Sequence, residues 1–337
     1  MTKSDHASPT KAVGLISGGL DSFLAARLIR NLGWKVHGLF FCLPFGCDKL
    51  HYARAVTKEL NIPLEIEYLG DEFIRMIRHP QFGRGTGMNP CIDCHILMLK
   101  KAAAYMHRIQ ATFVFTGEVL GQRPMSQLKN SLSLVEKHSG LEGRLLRPLC
   151  AAWLPPTVME ELGMIDRRAL LDISGRSRKK QYDLARQWDA KGFAPPAGGC
   201  SLTDRHFSRR LQDLLEHGYR TLNDLKMLRW GRHYRLDKEH KAVLGRDEFE
   251  NQRLLDHVTK GDYVLDFVDE NGPTLILNGP RADDTILSLA AGLIQYHSRY
   301  RDHLPLPVTA IRTGHGPTRI KVIPEIISEK KRQRMRL

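Results

Sequence analysis

The chain has no apolar run long enough to cross a membrane as a helix, and its first ten residues are polar, with no hydrophobic signal segment. These two absences argue against a helical membrane protein and predict a cytoplasmic chain with no membrane partner. No internal repeat is present, which argues against solenoids and propellers. The only biased tract is a basic run at 330–336. Two common phosphate-binding signatures are also missing. No Gly-Lys-Ser/Thr closes a glycine-rich loop, and no G-x-G-x-x-G follows the first strand signal. Cysteine is scarce, at six in 337 residues. In a cytoplasmic chain so few thiols point to metal or catalysis sooner than to disulfides.

Against those absences, 42% hydrophobic and 26% charged residues are ordinary for a soluble globular chain, and 337 residues are enough for two domains. The formal net charge of +14 is large for this size and predicts a polyanionic partner, most simply nucleic acid. Basic residues gather at Arg167, Arg168, Arg176, Arg178, Lys179 and Lys180, and again at Arg205, Arg209 and Arg210. A third group, Arg229, Arg232, Arg235, Lys238 and Lys241, is interleaved with Trp230, His233 and Tyr234. The tail holds Lys330, Lys331, Arg332, Arg334 and Arg336, and reads as a mobile arm that binds phosphate without sequence preference. Arg229, Arg232, Arg235, Lys330 and Lys331 are the candidate RNA-binding residues.

Strand and helix signals alternate over residues 11–120. Apolar runs mark strands at Ala12–Ile16, Lys35–Phe41, Leu64–Tyr68 and Thr112–Thr116. Helical spacing marks Leu20–Leu32, Lys49–Leu60, Glu72–Ile77 and Cys91–His107. This alternation predicts an α/β fold with a doubly wound parallel sheet, whose ligands bind beyond the carboxyl ends of the strands. Residues 80–90 are rich in Gly and Pro and read as a mobile loop. Further helices are expected around Ser126–Lys137, Pro156–Leu162, Ile165–Asp172 and Lys179–Ala190. After the irregular Phe193–Cys200 stretch the style changes, so the expected domains are 1–203 and a smaller α+β domain at 204–337. There a helix is expected at Asp204–His217 and another at Asp284–Tyr300, with a strand at Arg319–Ile323. Tyr263–Val268 and Thr274–Leu277 flank an Asn271-Gly272 hairpin signal.

The run Leu15-Ile16-Ser17-Gly18-Gly19-Leu20-Asp21-Ser22 joins the first strand to the first helix. Such a turn aims backbone N–H groups from the positive end of a helix, which makes a pyrophosphate site. Asp21 beside phosphate calls for a bridging metal or ammonium. Cys91-Ile-Asp-Cys94 opens a later helix, where the helix dipole favours thiolate. Three readings of Cys91, Cys94 and Cys200 stay open: an iron–sulfur cluster with one open iron, a persulfide carrier that closes a disulfide, or structural zinc with a fourth ligand such as His95. Cys150, in an apolar stretch, reads as a buried hydrophobe. Cys42 and Cys47 lie in a loop beside the expected nucleotide pocket, where a second metal or a sulfur-relay role is open.

The string Ser17–Ser22 resembles the PP-loop of ATP pyrophosphatases. With Asn89-Pro-Cys-Ile-Asp-Cys94, Thr116-Gly-Glu-Val-Leu-Gly-Gln122 and Leu146-Arg-Pro-Leu149, the chain resembles the tRNA thiouridine synthetases of that superfamily over roughly residues 10–203. The Gly-Glu-x-Leu-Gly-Gln run is most similar to 4-thiouridine synthetases, and the Cys91/Cys94/Cys200 set to the three-cysteine, cluster-dependent branch. The resemblance implies a PP-loop (adenine nucleotide alpha hydrolase-like) fold. It also implies that Ser17, Gly18, Gly19, Asp21, Ser22 and Gly117 bind ATP and Mg²⁺. It implies Cys91, Cys94, Cys200 and Asp21 as catalytic residues, the three cysteines as ligands of a 4Fe-4S cluster, and tRNA and a sulfide or persulfide donor as partners. ATP would adenylate a uracil carbonyl oxygen and sulfur would displace AMP. A small-molecule substrate for the same PP-loop chemistry is the alternative. The chain departs from a typical 4-thiouridine synthetase in lacking an RNA-binding domain before the PP-loop and an appended rhodanese-like domain. The 228–236 run, whose tone resembles a small RNA-binding domain of ribosome-associated proteins, is then expected to supply the grip.

Overall fold

The computed structural model describes residues 11–196, 199–314 and 319–337. The polar first ten residues, and part of the Phe193–Cys200 stretch, lie outside that set. The chain divides into two units, Met1–Gly199 and Cys200–Leu337. The division falls just before the expected one, and it assigns Cys200 to the second unit.

The first unit runs β1 (Lys11–Leu15), α1 (Leu20–Asn31), β2 (Lys35–Cys42), α2 (Leu50–Glu59), β3 (Leu64–Tyr68), α3 (Asp71–Arg78), α4 (Cys91–Arg108), β4 (Phe113–Phe115), α5 (Lys129–Ser139), β5 (Leu145–Leu146), α6 (Val158–Glu161) and α7 (Lys179–Gln187). Its five strands form one parallel sheet in the order β3-β2-β1-β4-β5. The order reverses between β1 and β4, and a crevice opens at such a reversal beyond the strand ends. Both faces are buried because adjacent strand residues point opposite ways. Ala12, Phe113 and Phe115 pack with Phe23, Leu24 and Ile29 of α1 on one face. Val13, Val114 and Leu145 pack with Ile96, Leu99, Ala102 and Met106 of α4 on the other. The doubly wound α/β expectation holds.

Three features differ locally from expectation. The 80–90 segment is irregular but held in place: the Asp93 carboxylate accepts the N–H groups of Gln81 and Phe82 at 2.8 and 3.1 Å, and Arg84 donates to the carbonyl of Ile77 at 2.7 Å. The helix expected at Ile165–Asp172 is only a 3₁₀ turn at Arg167–Ala169. Beyond it Leu171 and Ile173 donate to the carbonyls of Pro148 and Leu149 instead of continuing a helix. Finally, Cys42 is bonded to Cys47. In that state neither sulfur offers a thiolate to a second metal. The preference for metal over disulfide, drawn from composition, fails at this pair because the turn after β2 brings the two residues together. Alkylation of denatured, unreduced protein is expected to mark the four cysteines outside that bridge, Cys91, Cys94, Cys150 and Cys200. After reduction all six should be marked; six marked before reduction, read by mass spectrometry, would remove the bridge.

The second unit holds α8 (Arg205–His217), α9 (Leu222–Met227), β6 (Arg232–Arg235), β7 (Lys241–Leu244), α10 (Glu248–Leu255), β8 (Tyr263–Phe267), β9 (Leu275–Asn278), α11 (Asp284–Tyr296), β10 (Val308–Arg312), β11 (Arg319–Val322) and α12 (Glu329–Met335). Its antiparallel sheet has the order β11-β10-β8-β9-β7-β6, with the expected hairpin pairing Tyr263 to Leu277. Leu287, Leu293 and Ile294 of α11 cover one face with Tyr234, Leu265 and Leu275. Met227, Val243, Leu254 and Ile276 form a smaller cluster on the other. The basic tail, read as a mobile arm, is instead helix α12. Ser328 caps it, and its i, i+3 pair Arg332 and Met335 is buried. No helix among the described residues is long and apolar enough to cross a membrane.

Candidate active site

β1 ends at Leu15, and the chain turns into α1 through Ile16–Gly19. Gly18 sits at φ +76°, and a Cβ there would lie 2.8 Å from the backbone nitrogen of Ala53, so a side chain is both strained and blocked. No side chain caps the first N–H groups of α1, which leaves them for a ligand. Ser22 Oγ donates to the Gly19 carbonyl at 2.8 Å, and Ser17 Oγ donates to Ser22 Oγ at 3.2 Å, so the hydroxyls brace this turn.

Asp21 Oδ2 accepts from Arg178 Nη2 and Gln122 Nε2, each at 2.9 Å, and Gln181 Nε2 donates to Gln122 Oε1 at 2.9 Å. Asp21 Oδ1 and Arg178 Nε are buried and have no hydrogen-bond partner among the described residues. An orphaned carboxylate oxygen beside an orphaned guanidinium N–H, at an uncapped helix start, fits phosphate bridged by a divalent cation. The sequence placed Gln122 at the end of the Thr116–Gln122 run but put Arg178 in a nucleic-acid cluster and gave Gln181 no role. In that cluster Arg167 pairs with Glu160, Arg168 with Asp166 and Lys180 with Asp172. Arg178 and Asp21 are far apart in sequence, and the Gly175-Arg-Ser-Arg178 turn, which follows a bridge between Leu120 and Ser174, was the available signal.

Gly117 follows β4 and closes on this loop. A Cβ there would lie 2.5 and 2.6 Å from the carbonyl carbon and oxygen of Asp21, so the backbones touch and only glycine fits. The next residue, Glu118, is buried and holds three groups. Its Oε1 is 2.9 Å from Nδ1 of His95, and its Oε2 accepts from Arg147 Nε at 3.0 Å and Thr116 Oγ1 at 2.9 Å. Arg147 is equally buried and also donates to Glu136 at 2.9 Å. Burial alone would push the Glu118 carboxyl up, but the Arg147 charge and then His95 outweigh it and hold the group down at about 2. Cys150 donates to the Glu118 carbonyl at 3.4 Å, and burial pushes its thiol up to about 11. It is the buried, inert cysteine expected.

Cys91 and Cys94 occupy the first turn of α4, one turn apart, as partly exposed side chains immediately before His95. Asn89 Nδ2 donates to Cys91 Sγ at 2.9 Å. The parallel crossover places this turn at the same strand ends as the Ser17–Ser22 loop, and the contact series Asp21, Gly117, Glu118, His95, Cys94 joins the two. The pair fits two thiolate positions of a metal or cluster. No group of three candidate ligands gathers among the described residues, and Cys200 belongs to the second unit, described by itself.

In that unit the proposed RNA-binding residues divide. Arg235 is committed to Asp213 through two bonds of 2.9 and 2.7 Å, with Lys241 buried against the same carboxylate. Tyr234 is fully buried and Trp230 packs edge-on against Phe249, so these aromatics serve the core. Arg229 lies over Trp230, Lys331 pairs with Glu325, and Lys330 is exposed. Arg232 lines a basic cavity.

Two family models match parts of the chain, one within each unit. Residues 7–152 match the model described as thiamine biosynthesis protein (ThiI), and residues 231–332 match the NFACT protein RNA binding domain. A tRNA sulfurtransferase of Psychromonas ingrahamii is 25% identical over 201 residues, which are 51% of this chain and 39% of that protein. A tRNA-specific 2-thiouridylase of Aliarcobacter butzleri is 32% identical over 96 residues, 26% of this chain and 28% of that protein. The chain thus spans well under half the length of these curated relatives. Among solved structures, the U34-tRNA thiolase NcsA of Methanococcus maripaludis with its 4Fe-4S cluster aligns at TM-score 0.33 and 15% identity, covering 64% of this chain and 75% of that one. The two matches fall on different parts of the chain, the ThiI model on residues 7–152 and the RNA binding domain model on residues 231–332.

Proposed function

We propose that this chain is a cytoplasmic, ATP-dependent tRNA uridine thiolation enzyme. The observation that carries the reading is the contact series from Asp21 through Gly117 and Glu118 to His95 and Cys94, which sets a phosphate loop and a thiol pair at one strand end. The ThiI-type and RNA-binding segments support it.

In this reading the N–H groups at the start of α1 and the Arg178 guanidinium bind the phosphates of ATP, and Asp21 holds Mg²⁺ against them. The uracil carbonyl oxygen attacks the α-phosphorus, and the bond to the β-phosphate breaks to release pyrophosphate. Hydrosulfide then adds to the activated carbon, and the C–O bond breaks to release AMP; from a persulfide donor the terminal sulfur adds in the same way, and a second cysteine thiol then attacks the inner sulfur, breaking the S–S bond and closing a disulfide. Cys91 and Cys94, with Cys200 as third ligand, would hold an iron–sulfur cluster of 4Fe-4S type, which supplies sulfur as a nucleophile when bound. Glu118, fixed by Arg147, holds His95 and with it the first turn of α4.

The test is nucleoside mass spectrometry of tRNA from a deletion strain. One thiolated uridine is expected to vanish, to return with the wild-type gene, and to stay absent with Cys94→Ala. An unchanged thionucleoside profile would overturn the reading in favour of a small-molecule substrate.

A further inference from the structure

The second unit contains a cavity of about 300 Å³ whose walls carry Arg210, Arg232, Arg246, Arg336, His206 and His233. Leu337, whose N–H donates to the His233 carbonyl at 3.0 Å, closes one side. Four guanidinium groups around one small volume repel one another. Among the described residues only Arg246 has a carboxylate partner, Glu250, which accepts from Arg246 Nε at 2.9 and 2.8 Å. The side chain of Arg210 donates from Nη1 to the Leu228 carbonyl at 3.0 Å, and that of Arg232 makes one long contact, 3.5 Å, to the Gly245 carbonyl. Arg210, Arg232 and Arg336 have no carboxylate within ion-pair reach among the described residues.

Two atoms of the residues that line it are incomplete. Arg210 Nε and His233 Nδ1 are buried and have no hydrogen-bond partner among the described residues. Burial, then the charges of Arg246 and Arg336, pulls the Arg210 guanidinium down, and burial, Lys241 and Arg210 pull His233 well down. A buried guanidinium N–H without an acceptor is costly, and an anion removes that cost. With its Nε2 directed at the Trp230 carbonyl at 2.8 Å, a neutral His233 adds no charge to the wall, so the guanidinium groups carry the attraction for an anion. The unpaired charge also discriminates. Three guanidinium groups with no ion-pair partner among the described residues, Arg210 offset only partly by the Asp204 and Glu250 charges, are better balanced by a dianion than by a phosphodiester.

We propose that this cavity is a phosphate-monoester site, taking the terminal phosphate of an RNA chain or a free phosphate monoester. It rests on the RNA-binding reading only for the first of these sources. Bidentate guanidinium–phosphate bonds from Arg210 and Arg336 would orient the group, and Glu250 would hold Arg246 in place at the wall.

The test uses the full chain, wild type against Arg232→Gln/Arg336→Gln, with Arg210→Gln as a second variant; the paired positions are partly or fully exposed, so folding should survive. First, inorganic phosphate at constant ionic strength is titrated while the melting temperature is followed. The phosphate loop of the first unit also answers to this probe, so the cavity is read as the part of the stabilisation that the variants lose. Second, one tRNA transcript is bound in its 5′-phosphate and 5′-hydroxyl forms. Wild type is expected to lose about tenfold in affinity for the 5′-hydroxyl form, and the double variant to distinguish the two by less than about twofold. Identical phosphate titrations for wild type and variants would overturn the proposal. A phosphate effect lost in the variants, with no 5′-end discrimination in wild type, would assign the cavity to a free monoester and overturn the RNA-end source. A wild type that binds no tRNA yet loses phosphate stabilisation in the variants would fail the RNA reading and keep the pocket.

Discussion

Asp21→Asn is expected to lower tRNA-dependent pyrophosphate release by about 10²- to 10³-fold while leaving the melting temperature within a few degrees of wild type. The amide keeps the size of the side chain and can still accept from Gln122 and Arg178, both 2.9 Å from Oδ2 in the parent. What it removes is the negative charge at Oδ1, the buried atom with no partner among the described residues. If that atom waits for a cation on the phosphates, the loss falls on the chemical step. If Asp21 only anchors Arg178, the loss is that of a partly exposed ion pair, about 0–1 kcal/mol of stability, with little effect on rate. Single-turnover pyrophosphate release beside thermal melting separates the two. A variant within about threefold of wild type would take Asp21 out of the site.

Glu118→Gln should act in the opposite way, with stability falling first. Arg147 has a 2% exposed side chain and would keep only Glu136 as a charged partner. Removing one member of a buried pair costs about 3–5 kcal/mol, or roughly 10 °C for a domain of this size. The pH dependence has a definite sign. The folded carboxyl lies at about 2, below its ordinary 4.5, so the stability it contributes is complete above pH 4.5 and drains away as the pH falls toward 2. The gap between wild type and Glu118→Gln in urea unfolding is therefore expected to shrink by about 1 kcal/mol between pH 7 and pH 4. A gap that widens with acid would mean that Glu118 is not the anion of this network.

The first unit was legible because its strands are short apolar runs between helical patterns, and because the Ser17–Ser22 turn interrupts them with Gly and Ser. What escaped reading are pairings between distant residues. Arg178 looks like one more surface cation until the fold brings Asp21 to it. Glu118 stood out as part of a motif, but its role depends on His95 and Arg147, which come from other elements. In the second unit the 228–236 run could be read either as an RNA grip or as a basic strand whose aromatics pack in the core, and β6 with its buried Tyr234 is the second; β7 was hidden because Lys241 looks solvated, whereas Asp213 draws Arg235 and Lys241 into one buried network. α12 was hidden for the same reason. Its charges obscure the Arg332 and Met335 stripe, and Arg332 is held by Glu329 and lies over Tyr296.

The backbone contact between Gly117 and Asp21 has a consequence for fidelity. Two reaction centres that are rigidly spaced cannot re-examine a substrate between steps. In the proposed sequence, a uracil admitted for adenylation already lies where sulfur must arrive. The second step then inherits the selectivity of the first, and errors made on admission pass through uncorrected. On the proposed function, discrimination among uridines has to be complete before ATP is spent, and it rests with whatever holds the RNA.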